Sequence, residues 1–199
     1  MRKIVVTEFA SVDGVMEEPR WTFQFDRGPD GDRFKYEELF AADALLLGRV
    51  TYQGFAQAWP SMGNDAFGER MNNIPKYVVS TTLTDAEASW GSTTVIRGDI
   101  AAEIASLKTQ PGGDLLVEGS SQLVHTLVEH GLVDEYRLMI FPIVLGGGKR
   151  LFPDALTESA TLTLTSSRTS GDGILLLTYQ AAPVQPSADG QPVTAATPA

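Results

Sequence analysis

Five short stretches hold the residues best suited to chemistry. The first is Leu47-Gly48-Arg49-Val50-Thr51-Tyr52, where an apolar run stops at a glycine and an amphipathic run begins. A helix starting there turns free backbone N–H groups and the positive end of its dipole outward, which makes an anion site. Gly48 permits close backbone approach, Arg49 adds a forked donor and Thr51 a hydroxyl. The second, Val117-Glu118-Gly119-Ser120-Ser121-Gln122-Leu123, repeats this grammar, although Ser is also an ordinary helix cap. Two such junctions in one acidic chain suit the two phosphates of a dinucleotide. The third, Val79-Ser80-Thr81-Thr82-Leu83, is either a plain strand end or, beside a nucleotide, a ribose or phosphate contact. The fourth, Ser11-Val12-Asp13-Gly14-Val15, is an Asp-Gly turn that would set Asp13 at the carboxyl end of a strand, near a ligand. The fifth, Gly146-Gly147-Gly148-Lys149-Arg150, reads equally as a glycine turn and as a flexible loop near an anion.

Several chemistries are excluded. Neither G-x-G-x-x-G nor G-x-x-x-x-G-K-[ST] occurs, so a Rossmann fingerprint and a P-loop are absent. G-x-S-x-G and H-E-x-x-H are also missing. His125 and His130 would stand ~140° apart around a helix and make a poor metal pair. With no cysteine, disulfides, Cys-ligated zinc, iron–sulfur clusters and thiol catalysis are ruled out. The 15 Lys+Arg against 25 Asp+Glu leave a net charge of −10, which argues against nucleic acid or an anionic membrane as partner. An anionic ligand must therefore be met by local donors. The apolar run Ile4-Val5-Val6 falls short of a signal peptide (~7–15 residues) or a membrane span (~20), so a cytoplasmic location is expected.

The elements that must position these residues alternate. Strand-like runs cover Arg2–Phe9, Ala44–Leu47, Pro75–Thr81, Thr93–Ile96, Asp114–Val117, Val133–Val144, Ala160–Arg168 and Gly173–Gln180, the last two as a hairpin. Helical periodicity covers Asp32–Ala42, Arg49–Trp59, Asp65–Asn73, a run from an Asp99 cap to Lys108, and Ser120–His130. Early strand–helix alternation predicts parallel pairing with both faces covered, and the final hairpin predicts an antiparallel edge. The expected fold is α/β: a mixed, mostly parallel eight-stranded sheet between helical layers. Residues 1–180 read as one domain. Residues 181–199, with four of the 11 prolines and no aromatic residue, read as a flexible tail.

In order along residues 2–180, TEFASVDGVM, LLLGRVTY, KYVVSTTL, the long segment Gly112–Phe152 and the final hairpin resemble the dihydrofolate-reductase-like superfamily, in particular its RibD C-terminal branch, the reductase module of bacterial riboflavin synthesis. The resemblance implies that three-layer fold, a reduced nicotinamide cofactor (usually NADPH) and often a homodimer. Carried over by motif, Gly48, Arg49 and Thr51 would lie along the cofactor's pyrophosphate. Ser80, Thr81 and Thr82 would line the adenosine ribose. Gly119, Ser120, Ser121 and Gln122 would meet the pyrophosphate and nicotinamide half. Asp13 and Gly14 would border nicotinamide and substrate. The early loop EEPRWTFQF departs from the Pro-Trp motif of dihydrofolate reductases proper, and Ser80–Thr82 lacks an arginine for a 2′-phosphate, leaving Arg97 or Lys76 for that role.

On this reading the protein is an NADPH-dependent reductase that transfers hydride to a polarised C=N or C=O carbon of a small heterocycle. The phosphoribosylaminouracil of riboflavin synthesis is one candidate, its phosphate met by Arg20, Arg27 or Arg33. Asp13, then Asp32, are the candidate proton donors. Trp21 and Phe23 are candidate substrate walls, whereas Trp59 is expected in the core. The alternatives are a non-catalytic nucleotide-binding protein of the same fold, or a dihydrofolate or pterin reductase.

Overall fold

The computed structural model describes residues 1–152 and 160–182. The expected tail therefore lies outside the described residues, except for Ala181 and Ala182. Eight strands form one sheet in the order β4-β3-β2-β5-β1-β6-β8-β7. They are β1 (Ile4–Ser11), β2 (Ala42–Gly48), β3 (Lys76–Val79), β4 (Thr93–Ile96), β5 (Asp114–Glu118), β6 (Glu135–Phe141), β7 (Leu162–Ser170) and β8 (Ile174–Ala181). β4 through β6 pair in parallel, and β8 is antiparallel to both β6 and β7. The helices are α1 (Gly28–Ala41), α2 (Arg49–Met62), α3 (Ala66–Asn73), α4 (Ile100–Thr109) and α5 (Ser121–Glu129). The mixed sheet with its terminal hairpin is the expected architecture.

Strand alternation divides the core between two faces. On one face, Ile4, Val6, Leu115 and Val117 pack with Ile104 and Leu107 of α4 and with Leu123, Val124 and Leu127 of α5. On the other, Val5, Leu45, Leu47 and Leu116 pack with Leu39 of α1, Tyr52 of α2 and Met71 of α3. β2 and β5 are neighbours, yet the helices that follow them leave to opposite faces. A crevice at the carboxyl ends of two such strands is where parallel sheets bind ligands.

Element bounds differ from expectation for local reasons. β6 stops at Phe141 instead of Val144, because Pro142 has no N–H to continue the ladder. α1 begins at Gly28, with Pro29 in its first turn, where a missing N–H costs nothing. The early loop holds an unforeseen 3-10 helix, Pro19–Gln24. Among the described residues no helix is long and apolar enough to cross a membrane.

Lys76 opens β3 and is only 1% exposed. Its ammonium donates to the Asn72 and Ile74 carbonyls (2.7 and 2.8 Å) and lies 4.1 Å from the centroid of the Trp90 ring. Burial holds its pKa down at about 8, below the usual 10.5. The folded state thus disfavours the ammonium, a penalty in force below about pH 8 and relieved as the pH rises toward 10.5. Relative to Lys76→Met, the wild type should gain up to about 1.4 kcal/mol per pH unit across that window. Urea melts of both proteins at two alkaline pH values check this; parallel changes would contradict it.

Candidate functional site

The two glycine-led junctions meet in space. At the end of β2 the Gly48 amide donates to Ser120 Oγ (2.8 Å), and Ser120 Oγ donates to Thr51 Oγ1 (2.9 Å). A Cβ on Gly119 would lie 3.1 Å from Thr51, and one on Gly48 would lie 3.2 Å from Ser120. Both loops therefore require glycine to come this close. Gly119 (φ 62°) and Ser120 (φ 68°) are both left-handed. For Ser120 that conformation costs on the order of 1 kcal/mol, and its two hydrogen bonds offset it.

No side chain caps α2 or α5, whereas Asp65 caps α3 and Asp99 caps α4. Arg27 at the start of α1 makes no such bond either, but there Ser170 Oγ accepts from the Gly31 amide (3.0 Å). α2 and α5 are the uncapped helices that start beside each other at the β2/β5 crevice. Their outward amides and dipoles suit a diphosphate, and on that ground the residues present fit a dinucleotide.

The remaining expected contacts divide. Arg49 is exposed and bonded to Gln53 (3.0 Å), at the rim of the crevice; Ser121 is half-buried and Gln122 exposed. Ser80 Oγ accepts from the Thr82 and Leu83 amides, closing its own turn, while Thr81 and Thr82 are exposed. Arg97 is engaged by the Leu83 carbonyl and Asp85, both 2.8 Å away. Lys76, buried at the opposite end of its strand, cannot meet a 2′-phosphate.

Asp13 is a staple. Its carboxylate accepts from Ser11 Oγ (2.7 Å) and from the Leu145 and Gly146 amides (3.1 and 2.8 Å), and these bonds hold its pKa down at about 2. A carboxyl so held ties the glycine loop to the turn at Gly14 and carries no proton to give near neutral pH. Asp32 is turned to solvent, 65% exposed and paired with Arg27 (3.0 Å). Neither aspartate has the surroundings of a proton donor. Arg33 pairs with Asp30, and Arg20 is exposed. Trp21 is half-buried, edge-on to Phe141 with ring centroids 5.5 Å apart, and Phe9 packs on the same ring. Phe23 is 85% exposed and takes no part in that wall.

The most unusual group of side chains was not anticipated. Lys35 on α1 stands between Glu38 and Glu118, beside the middle of β1 and the carboxyl end of β5. Its ammonium ion-pairs with Glu38, reaches Glu118 Oε1 at 2.8 Å and donates to Thr7 Oγ1 at 3.2 Å. It also lies 5.1 Å from the Phe9 ring centroid. Thr7 Oγ1 contacts both Glu38 oxygens (2.8 and 2.9 Å). Burial alone would pull the Lys35 pKa down, but the charges of Glu118 and Glu38 and their hydrogen bonds raise it, so the ammonium stays protonated. Burial pushes Glu38 up; Lys35 opposes the shift and Glu118 adds to it. The readable signal was Thr7-Glu8 interrupting an apolar strand, and Lys35 and Glu38 sharing the inward face of α1 with Phe34 and Leu39.

The model of the RibD C-terminal domain matches residues 2–176. YyaP of Bacillus subtilis (strain 168), whose function is uncharacterised, is 30% identical over 187 residues, covering 89% of this chain and 94% of YyaP. A Shewanella sp. PV-4 protein ascribed to riboflavin biosynthesis superimposes with a TM-score of 0.73 at 22% identity, covering 90% of this chain and 99% of that one. Enterococcus faecalis dihydrofolate reductase, in complex with NADP(H), gives a TM-score of 0.53 at 15% identity, covering 90% of this chain and 96% of that one. These neighbours share the dihydrofolate-reductase-like fold. With nearly its whole length matched, the chain belongs to the RibD C-terminal domain family.

Proposed function

We propose that the protein is an NADPH-dependent reductase of a small heterocyclic substrate. The observation that carries this reading is the pair of uncapped helix starts, α2 and α5, joined through Gly48, Ser120 and Thr51. The amides of these first turns would hold the diphosphate, with Arg49 at the rim and Thr81 and Thr82 toward the adenosine ribose. NADPH, when bound, supplies the hydride.

The protein's own part is placement and charge. Trp21 and Phe9 wall the α1 side. Lys35 and Glu118 are the two members of the buried ionic group with some solvent contact, 11% exposed each. As hydride adds to the carbon of a C=N or C=O bond, negative charge develops on the heteroatom, and the Lys35 ammonium is the group to neutralise it. Glu38 and Thr7 stand behind Lys35 and fix its position. Asp13 holds the 145–146 loop against the turn at Gly14.

Tryptophan quenching on addition of NADPH, followed by loss of nicotinamide absorbance with folates, pterins and aminouracil ribosyl phosphates in turn, tests the assignment. Quenching without oxidation of NADPH by any of these would favour a binding protein, and no quenching would contradict the cofactor site. Arg49→Ala should weaken NADPH about tenfold, as expected for loss of a charge-assisted phosphate contact. Unchanged affinity in a fluorescence titration would remove Arg49 from the site. The assignment also carries a homodimer, which light scattering checks.

A further inference from the structure

Glu8 stands one residue beyond Thr7 on β1, opposite Leu138 of β6. Strand alternation turns its side chain to the face covered by α4 and α5, across the sheet from Lys35. It is 6% exposed, and its Oε1 atom is buried with no hydrogen-bond partner among the described residues. A buried carboxylate with an unpaired oxygen is costly, whereas a neutral carboxyl group is far less so. The backbone amide of Gly119 faces this carboxyl group. Gly119 is the left-handed residue that leads into α5 and touches Thr51 of α2. An unsatisfied buried acid therefore lies directly behind the two helix starts.

The charged groups around it are Lys35 and Glu38 of α1 and Glu118 of β5. Burial pushes the Glu8 carboxyl well up from its ordinary range; Lys35 opposes the shift, Glu118 and Glu38 reinforce it, and the Gly119 amide opposes it. Ionising Glu8 would bring a third carboxylate into the field of one ammonium, from across the sheet, and place a negative charge behind a crevice suited to a diphosphate.

We propose that Glu8 is a positioning residue for the anionic cofactor: uncharged, it holds the Gly119 amide in place at the α2/α5 crevice, and its ionisation weakens cofactor binding as the pH rises. This rests on the cofactor reading given above. As a general scale, one negative charge about 8 Å from another, in surroundings between protein and water, changes affinity about fivefold.

The test is NADPH affinity of the wild type and of Glu8→Gln, measured by fluorescence titration in steps from about pH 6 to about pH 10. The wild type should lose about fivefold more affinity across that interval than Glu8→Gln, which cannot ionise. A purely structural role would weaken the variant equally at every pH, and parallel profiles would overturn the proposal. Absence of NADPH binding by the wild type across the whole range would instead remove the cofactor reading on which it rests. Should Glu8→Gln fail to fold, the wild type alone decides. Calorimetric titration with NADPH over the same pH steps, in buffers of different ionisation enthalpy, should report net proton uptake toward the alkaline end, and no uptake at any of them would overturn the proposal.

Discussion

Lys35→Met is expected to destabilise the protein by about 3–5 kcal/mol near neutral pH, the scale for removing one partner of a buried ionic group. The ammonium stands between Glu38 and Glu118 and is hydrogen-bonded to Thr7. Without it, two carboxylates are left facing each other beside an apolar core. The sign of the pH dependence follows from Glu38, whose carboxyl is already raised by burial. A raised folded-state pKa favours folding fully below the unfolded value of 4.5, and that advantage is lost as the pH climbs through the folded value. Losing the cation raises it further, so the deficit of the variant should widen from about pH 5 to about pH 8. Urea denaturation at both values measures it, and Glu38→Gln added to the Lys35 variant should recover part of the loss. A deficit independent of pH, or one below about 1 kcal/mol, would contradict the account of this cluster. In the same variant NADPH affinity should change less than turnover, which should fall by about two orders of magnitude if Lys35 neutralises developing charge.

The second large effect is expected from Gly119→Ala. The residue has φ 62°, and a Cβ there would come within 3.1 Å of both Thr51 Oγ1 and Cγ2. A left-handed alanine costs roughly 1–2 kcal/mol. Thr51 cannot simply yield, because Ser120 Oγ is bonded to it and in turn receives the Gly48 amide. Any relaxation spreads through the junction between the two helix starts, and NADPH should bind at least about tenfold more weakly, on the scale that a displaced site suffers. Gly54→Ala is the control. Gly54 lies within exposed α2 with nothing near its would-be Cβ. Alanine there should stabilise the protein by about 0.5–1 kcal/mol and leave NADPH affinity unchanged. Equal NADPH affinity in wild type and Gly119→Ala would mean that the cofactor does not use this junction.

Periodicity and caps made most of the elements legible. Thr93–Ile96 is a strand with the bounds expected, Asp99 caps α4 through the Ala102 amide, and the Ser170–Gly173 region turns the final hairpin. Both junctions were also legible, since a glycine between an apolar run and an amphipathic one is a local pattern. That β2 lies beside β5 was not, because strand order is set by contacts far apart in the chain. The Lys35 group was hidden for the same reason: Thr7, Lys35 and Glu118 converge from three elements, and none carries a local motif. The bonds that tie down Asp13 were hidden as well, because its partners, the Leu145 and Gly146 amides, come from a loop more than 130 residues away.

Amide chemical shifts of the isotopically labelled protein, followed during titration with NADPH, test the central claim most directly. The account predicts that the largest shifts cluster at the first turns of α2 and α5, at Arg49, Val50 and Thr51 and at Ser121, Gln122 and Leu123, with Gly48 and Gly119 moving alongside them. Saturating NADPH that leaves these amides unmoved, or that shifts residues on another edge of the sheet instead, would contradict it.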